Sequence, residues 1–226
     1  MFELEKIAIL GASRGLGAAF AKELSTSGPV QKLVLYSRSK ARLDELAENI
    51  NADVDVIEAD FTKSSDQQKV LESLEEIKPT RIYYFAGGGP FGKYGEKNWK
   101  DHQWALEVTL LFPAKLLFEV LSQENLSCVK QIIFIGSDIA ESQPHPMGAS
   151  YGAAKRGLLG LVSSVNAEKP DCDVRIFSPG YMDTDLLPKN ALPRREGKKI
   201  HPPEKVASEL LQWSAKKVIS GHYVYS

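Results

Sequence analysis

The sequence Lys6-Ile-Ala-Ile-Leu-Gly-Ala-Ser-Arg-Gly-Leu-Gly17 joins a short apolar run to a glycine-rich turn. The apolar run has the length of a buried strand, and residues 18–24 behind the turn predict a helix. Glycines at a strand-to-helix turn let backbone amides approach a phosphate, which then lies at the positive end of the helix. This segment therefore predicts the start of a nucleotide-binding α/β fold.

Strand and helix patterns alternate along the rest of the chain. The further predicted strands are 32–37, 54–58, 81–86, 129–136, 173–177 and 218–224, and the further predicted helices are 40–49, 64–77, 98–122, 151–167 and 204–214. Pro113 lies inside the longest of these helices and should kink or break it. The alternation predicts one α/β domain over residues 1–226, a doubly wound (Rossmann-type) parallel sheet of about seven strands with helices on both faces.

A second cluster of polar residues lies in the carboxyl-terminal half. Tyr151 and Lys155 are four residues apart, which places a phenol and an ammonium one turn apart on one helix face. Ser137 precedes Tyr151 by fourteen residues and ends a predicted strand. A nearby cation favours phenolate, so we expect Lys155 to lower the pKa of Tyr151. Tyr151 can then act as a general acid or base on a carbonyl or alcohol whose oxygen Ser137 holds.

Together, the glycine turn and the Ser137, Tyr151 and Lys155 set resemble the classical short-chain dehydrogenase/reductase family, from Ile7 to about Tyr223. The resemblance implies hydride transfer between a nicotinamide cofactor and a small carbonyl or alcohol substrate. It implies that Tyr151 exchanges the proton and that Lys155 also holds the nicotinamide ribose. It also implies a homodimer or homotetramer built partly on the long helix and the Tyr151 helix.

Ligands of parallel sheets bind at the carboxyl ends of the strands, where the candidate residues lie. By resemblance, Asp60 contacts the adenine and Thr184 orients the carboxamide. The residues expected to bind the cofactor are Gly11, Ser13, Arg14, Gly15, Leu16, Gly17, Ser37, Arg38, Asp60, Phe61, Ala86, Gly87, Gly88, Tyr151, Lys155, Pro179, Gly180, Met182 and Thr184.

The charges near the second strand predict which cofactor binds. An NAD site places an acid at the end of this strand, whereas the 2′-phosphate of NADP requires a cation. Arg38 follows the second strand, Arg14 lies in the glycine turn, and the nearest downstream carboxylate is Asp44. We therefore predict NADP(H) rather than NAD. The alternative is that both arginines are merely solvated.

Two positions depart from the family pattern. Thr109 lies where the family usually carries an asparagine that helps relay protons to the lysine, and Phe85 replaces the first residue of the common Asn-Ala-Gly sequence. We include Thr109 among the catalytic residues because its hydroxyl can bond a carbonyl or a water. These departures keep open a non-catalytic NADP-binding redox sensor or interaction protein. A nucleotide-sugar epimerase or dehydratase fits less well, because such enzymes normally need a larger carboxyl-terminal region.

Residues 141–150 should line one wall of the substrate pocket, and residues 185–203 resemble the mobile lid of the family. His145 in the wall either contacts substrate or is simply exposed. The lid carries cations that either attract an anionic substrate or are solvated. These cations are Lys189, Arg194, Arg195, Lys198 and Lys199. Trp99, Trp104 and Trp213 are predicted to be packing residues.

The composition argues against several other classes of protein. Twenty-eight basic and 29 acidic side chains give a net charge of −1, so we expect neither a nucleic-acid partner nor a membrane partner. The amino terminus has no basic segment followed by an apolar stretch, and we predict a cytoplasmic protein. Two cysteines and four histidines without metal-ligand spacing predict no metal.

Overall fold

The computed structural model describes residues 5–27, 30–122, 126–142, 144, 146–187, 189–217 and 221–226, with the backbone but not the side chain of Ile139. The strands of this part of the chain are β1 Glu5–Leu10, β2 Val30–Ser37, β3 Val54–Glu58, β4 Arg81–Tyr84, β5 Gln131–Ile135, β6 Asp173–Pro179 and β7 His222–Tyr225. They form one seven-stranded sheet in the order β3-β2-β1-β4-β5-β6-β7, and every neighbouring pair is parallel. The predicted parallel sheet is confirmed.

Helices cover both faces of the sheet, as predicted. They are α1 Gly15–Ser27, α2 Lys40–Glu48, α3 Ser64–Ile77, α4 Trp99–Leu106, α5 Phe112–Ser122, α6 Asp138–Glu141, α7 Ala149–Ala167, α8 Leu192–Arg195 and α9 Pro203–Ser214. Side chains of α3, α5 and α7 pack in one core, and those of α1, α2 and α9 pack in the other. None of the helices in the described ranges is long and apolar enough to cross a bilayer.

Strand β1 illustrates why the apolar runs of the sequence become central strands. Ala8 and Leu10 lie in the core beneath α3, α5 and α7, whereas Ile7 and Ile9 lie in the core beneath α1, α2 and α9. A strand that is buried on both faces needs apolar residues at successive positions. This is why the run of residues 6–10 predicted β1 to within one residue.

The predicted effect of Pro113 is confirmed as a break in the α-helix, and the break lies in the turn before the proline. Residues Glu107–Leu111 form a π-helical segment between α4 and α5, and the Phe112 amide donates to the Glu107 carbonyl five residues back. Pro113 has no backbone N–H, so the Thr109 carbonyl cannot receive the ordinary α-helical bond from position 113. The turn widens around Thr109 as a result, and π-helical turns of this kind often occur at functional sites.

The strands predicted at 81–86 and 129–136 are shorter in the structure, and the second of them is β5 Gln131–Ile135. The strand predicted at 81–86 ends at Tyr84, because Phe85 and Ala86 both donate their amides to the Leu10 carbonyl, at 2.7 and 3.2 Å. The turn after β4 thereby closes over the end of β1. For the last predicted strand, residues 222–224 are confirmed, and residues 218–220 lie outside the described part of the chain.

Candidate active site

Two glycines of the turn after β1 are packed too closely to carry a side chain. A Cβ atom at Gly11, whose φ is +91°, would lie 2.5 Å from the Ala86 amide nitrogen. A Cβ atom at Gly17 would lie 2.3 Å from the Gly11 carbonyl oxygen. Glycine at these positions lets the turn lie against the turn after β4 while α1 begins at Gly15. Two predicted cofactor-binding segments, the glycine turn and the turn after β4, therefore lie against each other near the positive end of α1.

Ser137, Tyr151 and Lys155 meet where β5 ends and α7 begins. The hydroxyl groups of Ser137 and Tyr151 share a hydrogen bond. The Lys155 ammonium is buried, lies 5.6 Å from the centre of the Tyr151 ring and donates to the Ile135 carbonyl at 2.5 Å. The three residues that the sequence spacing singled out are thus neighbours in the fold.

The electrostatics of this site differ from the expectation. Burial raises the pKa of Tyr151 above its ordinary value, and the hydrogen bond from Ser137 only partly opposes this effect. Burial also lowers the pKa of Lys155 to about 7. The prediction that Lys155 lowers the pKa of Tyr151 is therefore wrong for this structure. Desolvation of the phenol dominates, and the same desolvation suppresses the lysine charge that was expected to stabilise phenolate.

Thr109 fixes the turn that follows β4. Its buried hydroxyl accepts a hydrogen bond from the Gly88 amide at 3.1 Å and donates to the Gly88 carbonyl at 3.2 Å. A Cβ atom at Gly87 would lie 3.4 Å from the Thr109 hydroxyl and 3.3 Å from the Lys155 ammonium. Thr109, Gly87 and Lys155 therefore adjoin one another, and the hydrogen bonds of Thr109 hold the backbone between them.

The two predicted cofactor-binding arginines contact different partners. Arg38 follows β2 and its exposed guanidinium lies over the ring of Trp104, 5.3 Å from the ring centre. Arg14 forms an ion pair with Asp185 at 3.5 Å, and both side chains are exposed. Ser37 is buried, and its hydroxyl accepts a hydrogen bond from the Ser39 amide at 3.1 Å.

Asp60 and Phe61 follow β3, and their side chains make different contacts. The Asp60 carboxylate accepts hydrogen bonds from the amide and the hydroxyl of Thr62, at 3.1 and 2.8 Å. Phe61 is 3% exposed, and its ring stacks on Phe112 with 5.1 Å between ring centres. The Phe61 side chain is therefore part of the core, and only its backbone remains at the predicted site.

The segment after β6 lies against the glycine turn. The Gly180 amide donates to the Tyr225 carbonyl at 2.7 Å, and Met182 forms a β-bridge with His201. The Thr184 methyl group would lie 3.4 Å from a Cβ atom at Gly15. Thr184 therefore lies beside the glycine turn, at the carboxyl ends of the strands where the sequence predicted the cofactor-binding residues.

Exposed apolar side chains occur in the turn after β4, in the predicted pocket wall and in the predicted lid. Phe91 and Leu186 are each 53% exposed, and Met147 is 42% exposed. The Gly92 amide donates to the Met147 carbonyl at 2.9 Å, which joins the turn after β4 to the segment before α7. His145 of the predicted pocket wall lies outside the described residues.

Two residues near the site were not singled out by the sequence. Buried His102 on α4 shares a 2.6 Å hydrogen bond with Ser150, the neighbour of Tyr151, and a 3.0 Å contact with the Tyr94 carbonyl oxygen. Trp104 lies beside Gly88, where a Cβ atom would be 3.0 Å from the edge of the indole. Neither residue belongs to a recognisable motif, because its partners come from other elements.

The three tryptophans, which were predicted to be packing residues, differ in how far they are buried. Trp213 is 4% exposed and packs in the core, as predicted, whereas Trp99 is 59% exposed, so the prediction is wrong for Trp99. Trp104 is half-buried and contacts the predicted cofactor edge. Among the described residues, no three histidine, cysteine or acidic side chains gather as they would around a metal ion.

Residues 5–194 match the family model for short chain dehydrogenases. This match covers most of the 226 residues, so the chain belongs to the short-chain dehydrogenase family of oxidoreductases. The predicted family is confirmed.

Two relatives with different stated functions are similar in sequence to this chain. The chain is 26% identical over 228 aligned residues to a 7beta-hydroxysteroid dehydrogenase of Mediterraneibacter gnavus, covering 94% of this chain and 84% of that protein. It is 28% identical over 192 residues to a cyclic-di-GMP-binding biofilm dispersal mediator protein of Escherichia coli, covering 84% and 78%. A short-chain dehydrogenase from Sphingobium yanoikuyae, solved in complex with NADPH, has the same fold with a TM-score of 0.82, at 23% identity, covering 98% and 87%.

Proposed function

We propose that this protein is an NADPH-dependent carbonyl reductase in which Tyr151 donates a proton to the carbonyl oxygen. The observation that carries the proposal is the hydrogen bond between the Ser137 and Tyr151 hydroxyls beside buried Lys155. A bound nicotinamide cofactor supplies the hydride. The carbonyl carbon gains that hydride and the carbonyl oxygen gains the phenol proton, so the product is an alcohol.

The site is suited to the reductive direction. The Tyr151 phenol is protonated at neutral pH and so carries the proton that reduction requires, although burial, which raises its pKa, makes it a weaker acid. Ser137 lies within hydrogen-bonding distance of that phenol, so an oxygen held by Ser137 also lies beside Tyr151. Lys155, with a pKa near 7, can give or take a proton at neutral pH and can restore the one that Tyr151 loses.

Three features of the chain support NADPH as the cofactor. The close-packed glycine turn leads into the amino-terminal end of α1, whose positive charge suits a pyrophosphate. Arg38 and Arg14 carry the positive charge that a 2′-phosphate requires. The Arg14–Asp185 pair is exposed, and exposed ion pairs contribute only about 0–1 kcal/mol. Arg14 can therefore exchange this carboxylate for a phosphate at low cost.

The exposed apolar side chains of the predicted pocket wall, the predicted lid and the turn after β4 favour an uncharged substrate with apolar substituents. Phe91, Met147 and Leu186 present apolar surface there. Of the lid cations, Arg194 pairs with Asp183 and Lys199 donates to the Ser226 carbonyl at 3.2 Å. The Arg194–Asp183 ion pair offsets one of the five lid charges, which weakens the hypothesis that the lid attracts an anionic substrate. The similarity to a 7beta-hydroxysteroid dehydrogenase agrees with a bulky apolar ketone.

The competing proposal is a nucleotide-binding protein without catalytic activity. Thr109 and Phe85, which replace the usual asparagines, support it, as does the similarity to the cyclic-di-GMP-binding mediator protein. The Ser137, Tyr151 and Lys155 set argues against it, because nucleotide binding alone does not require a proton donor at this position.

A panel of aldehydes and ketones, assayed by NADPH oxidation, tests the proposed function. We expect turnover of at least one apolar ketone or aldehyde, with a lower kcat/KM when NADH replaces NADPH. A parallel titration measures NADPH binding and cyclic-di-GMP binding. Tight NADPH binding with no turnover across the panel would favour the binding protein, and absence of NADPH binding would exclude both proposals.

A further inference from the structure

Trp104 contacts two predicted cofactor-binding segments that are far apart in the sequence. Its indole lies beneath the Arg38 guanidinium, 5.3 Å from ring centre to Cζ. It also packs on the turn after β4, since a Cβ atom at Gly88 would lie 3.0 Å from the indole edge. The side chain therefore bridges the ends of β2 and β4, where the two predicted cofactor-binding segments Ser37-Arg38 and Ala86-Gly87-Gly88 lie.

The indole also packs against residues other than Arg38, including the core beneath α3, α5 and α7. The hydrogen bonds of Thr109 hold both the amide and the carbonyl of Gly88, on which the indole packs. Gly88 itself is buried, and a larger residue there would collide with the ring. Trp104, which is half-buried and packed against the core beside Gly88, thus offers a platform for the exposed Arg38 side chain.

This arrangement prepares Arg38 for an anion. A guanidinium that stacks on an aromatic ring contacts the ring with its flat face. Its N–H groups then point outward in the plane of the guanidinium. Those N–H groups can bind phosphate oxygens in bidentate fashion while the stacking contact is kept. An exposed arginine without such a platform must lose side-chain entropy when it binds the phosphate, and this loss weakens binding.

We propose that Trp104 determines cofactor specificity by positioning Arg38 for the 2′-phosphate of NADPH. This inference rests on the proposed function, because it assumes a nicotinamide dinucleotide at this edge. Trp104 acts through Arg38 and not through the nicotinamide or the substrate. Its loss should therefore weaken the binding of NADPH and leave that of NADH nearly unchanged.

Calorimetric titration of NADPH and NADH into wild type, Trp104→Leu and Trp99→Leu tests the inference. Trp99 lies on the same helix, is 59% exposed and serves as the matched control. We expect Trp104→Leu to raise the Kd of NADPH about threefold to tenfold, the range of a cation–π contact, and to change that of NADH less than about twofold. Trp99→Leu should change neither constant. Trp104→Phe, which keeps an aromatic face, should lie between wild type and Trp104→Leu.

A double-mutant cycle distinguishes positioning from a general structural effect. In an Arg38→Leu background, Trp104→Leu should no longer change the ratio of the two dissociation constants. An equal loss of NADPH and NADH binding, or an unchanged ratio in the single variant, would overturn the inference while leaving the proposed function intact. If wild type itself does not prefer NADPH, the cofactor assignment fails and the inference fails with it. Should Trp104→Leu not fold, the same comparison is made with Trp104→Phe.

Discussion

Burial of Lys155 makes the stability of the protein depend on pH. Its pKa is about 7 in the folded chain because burial disfavours the ammonium, against an ordinary value of 10.5. Between these two values the unfolded chain binds more protons than the folded chain, so unfolding becomes less favourable as the pH rises. Below pH 7 both states are protonated, and the full cost of burying the charge is present.

Comparison with Lys155→Met therefore tests the direction in which stability changes with pH. Relative to this variant, the free energy of unfolding of the cofactor-free wild type should increase from pH 7 upward, by at most about 1.4 kcal/mol per pH unit. Urea unfolding at several pH values between 6 and 9 measures the difference. A difference that stays constant, or that falls as the pH rises, would contradict the stated pKa of Lys155.

Thr109 provides a second prediction about one side chain. In Thr109→Val the shape is kept, but the Gly88 amide and carbonyl lose their partner, so we expect a destabilisation of about 1–3 kcal/mol. Because the same turn adjoins Lys155, turnover should also fall. Thr109→Ser keeps the hydroxyl and is the control, with stability and turnover closer to wild type. Equal behaviour of the two variants would show that the hydroxyl has no such role.

Among the structural elements, those with a local signal were predictable and those that depend on tertiary contacts were not. The limits of α3 and β3 agree with the prediction because each is bounded by clear breaks in the hydrophobic pattern. Pro113 predicted the break between α4 and α5, since the missing N–H is a local property. The stacking of Trp104 on Arg38 and the burial of Lys155 arise only when distant elements pack, and the sequence carries no local sign of them.

The contact between α4 and α7 gives a prediction at the level of elements. His102 and Ser150 connect these helices one residue before Tyr151 through a buried hydrogen bond. We expect His102→Leu to destabilise the protein by about 1–3 kcal/mol, because Ser150 and the Tyr94 carbonyl then lack their partner. Ser150→Ala completes a double-mutant cycle in urea unfolding. A coupling energy of zero would mean that the hydrogen bond does not join the two helices.

On the scale of the whole molecule, α5 presents apolar side chains to solvent. Leu111, just before α5, is 53% exposed, and Phe118, two turns further on, is 64% exposed. Leu121 continues this face, and a Cβ atom at Gly160 on the neighbouring α7 would meet open space. Exposed apolar faces of this kind are typical of interfaces, which agrees with the homodimer or homotetramer that we propose.

Light scattering of Phe118→Glu tests this interface. Wild type should be a dimer or tetramer at micromolar concentration, and the buried charge in Phe118→Glu should shift the protein to a smaller species. Trp99→Glu, at another exposed aromatic residue, should leave the mass unchanged. A wild type that is monomeric throughout would refute the proposed assembly.

The central claim is that Tyr151 donates the proton in NADPH-dependent carbonyl reduction. The most direct test compares wild type with Tyr151→Phe, which keeps the ring and removes the hydroxyl, in steady-state NADPH oxidation with an accepted ketone and in NADPH titration. The account predicts that the Kd of NADPH stays within about threefold and that kcat falls by about a hundredfold or more. Near-normal turnover by Tyr151→Phe would contradict the account.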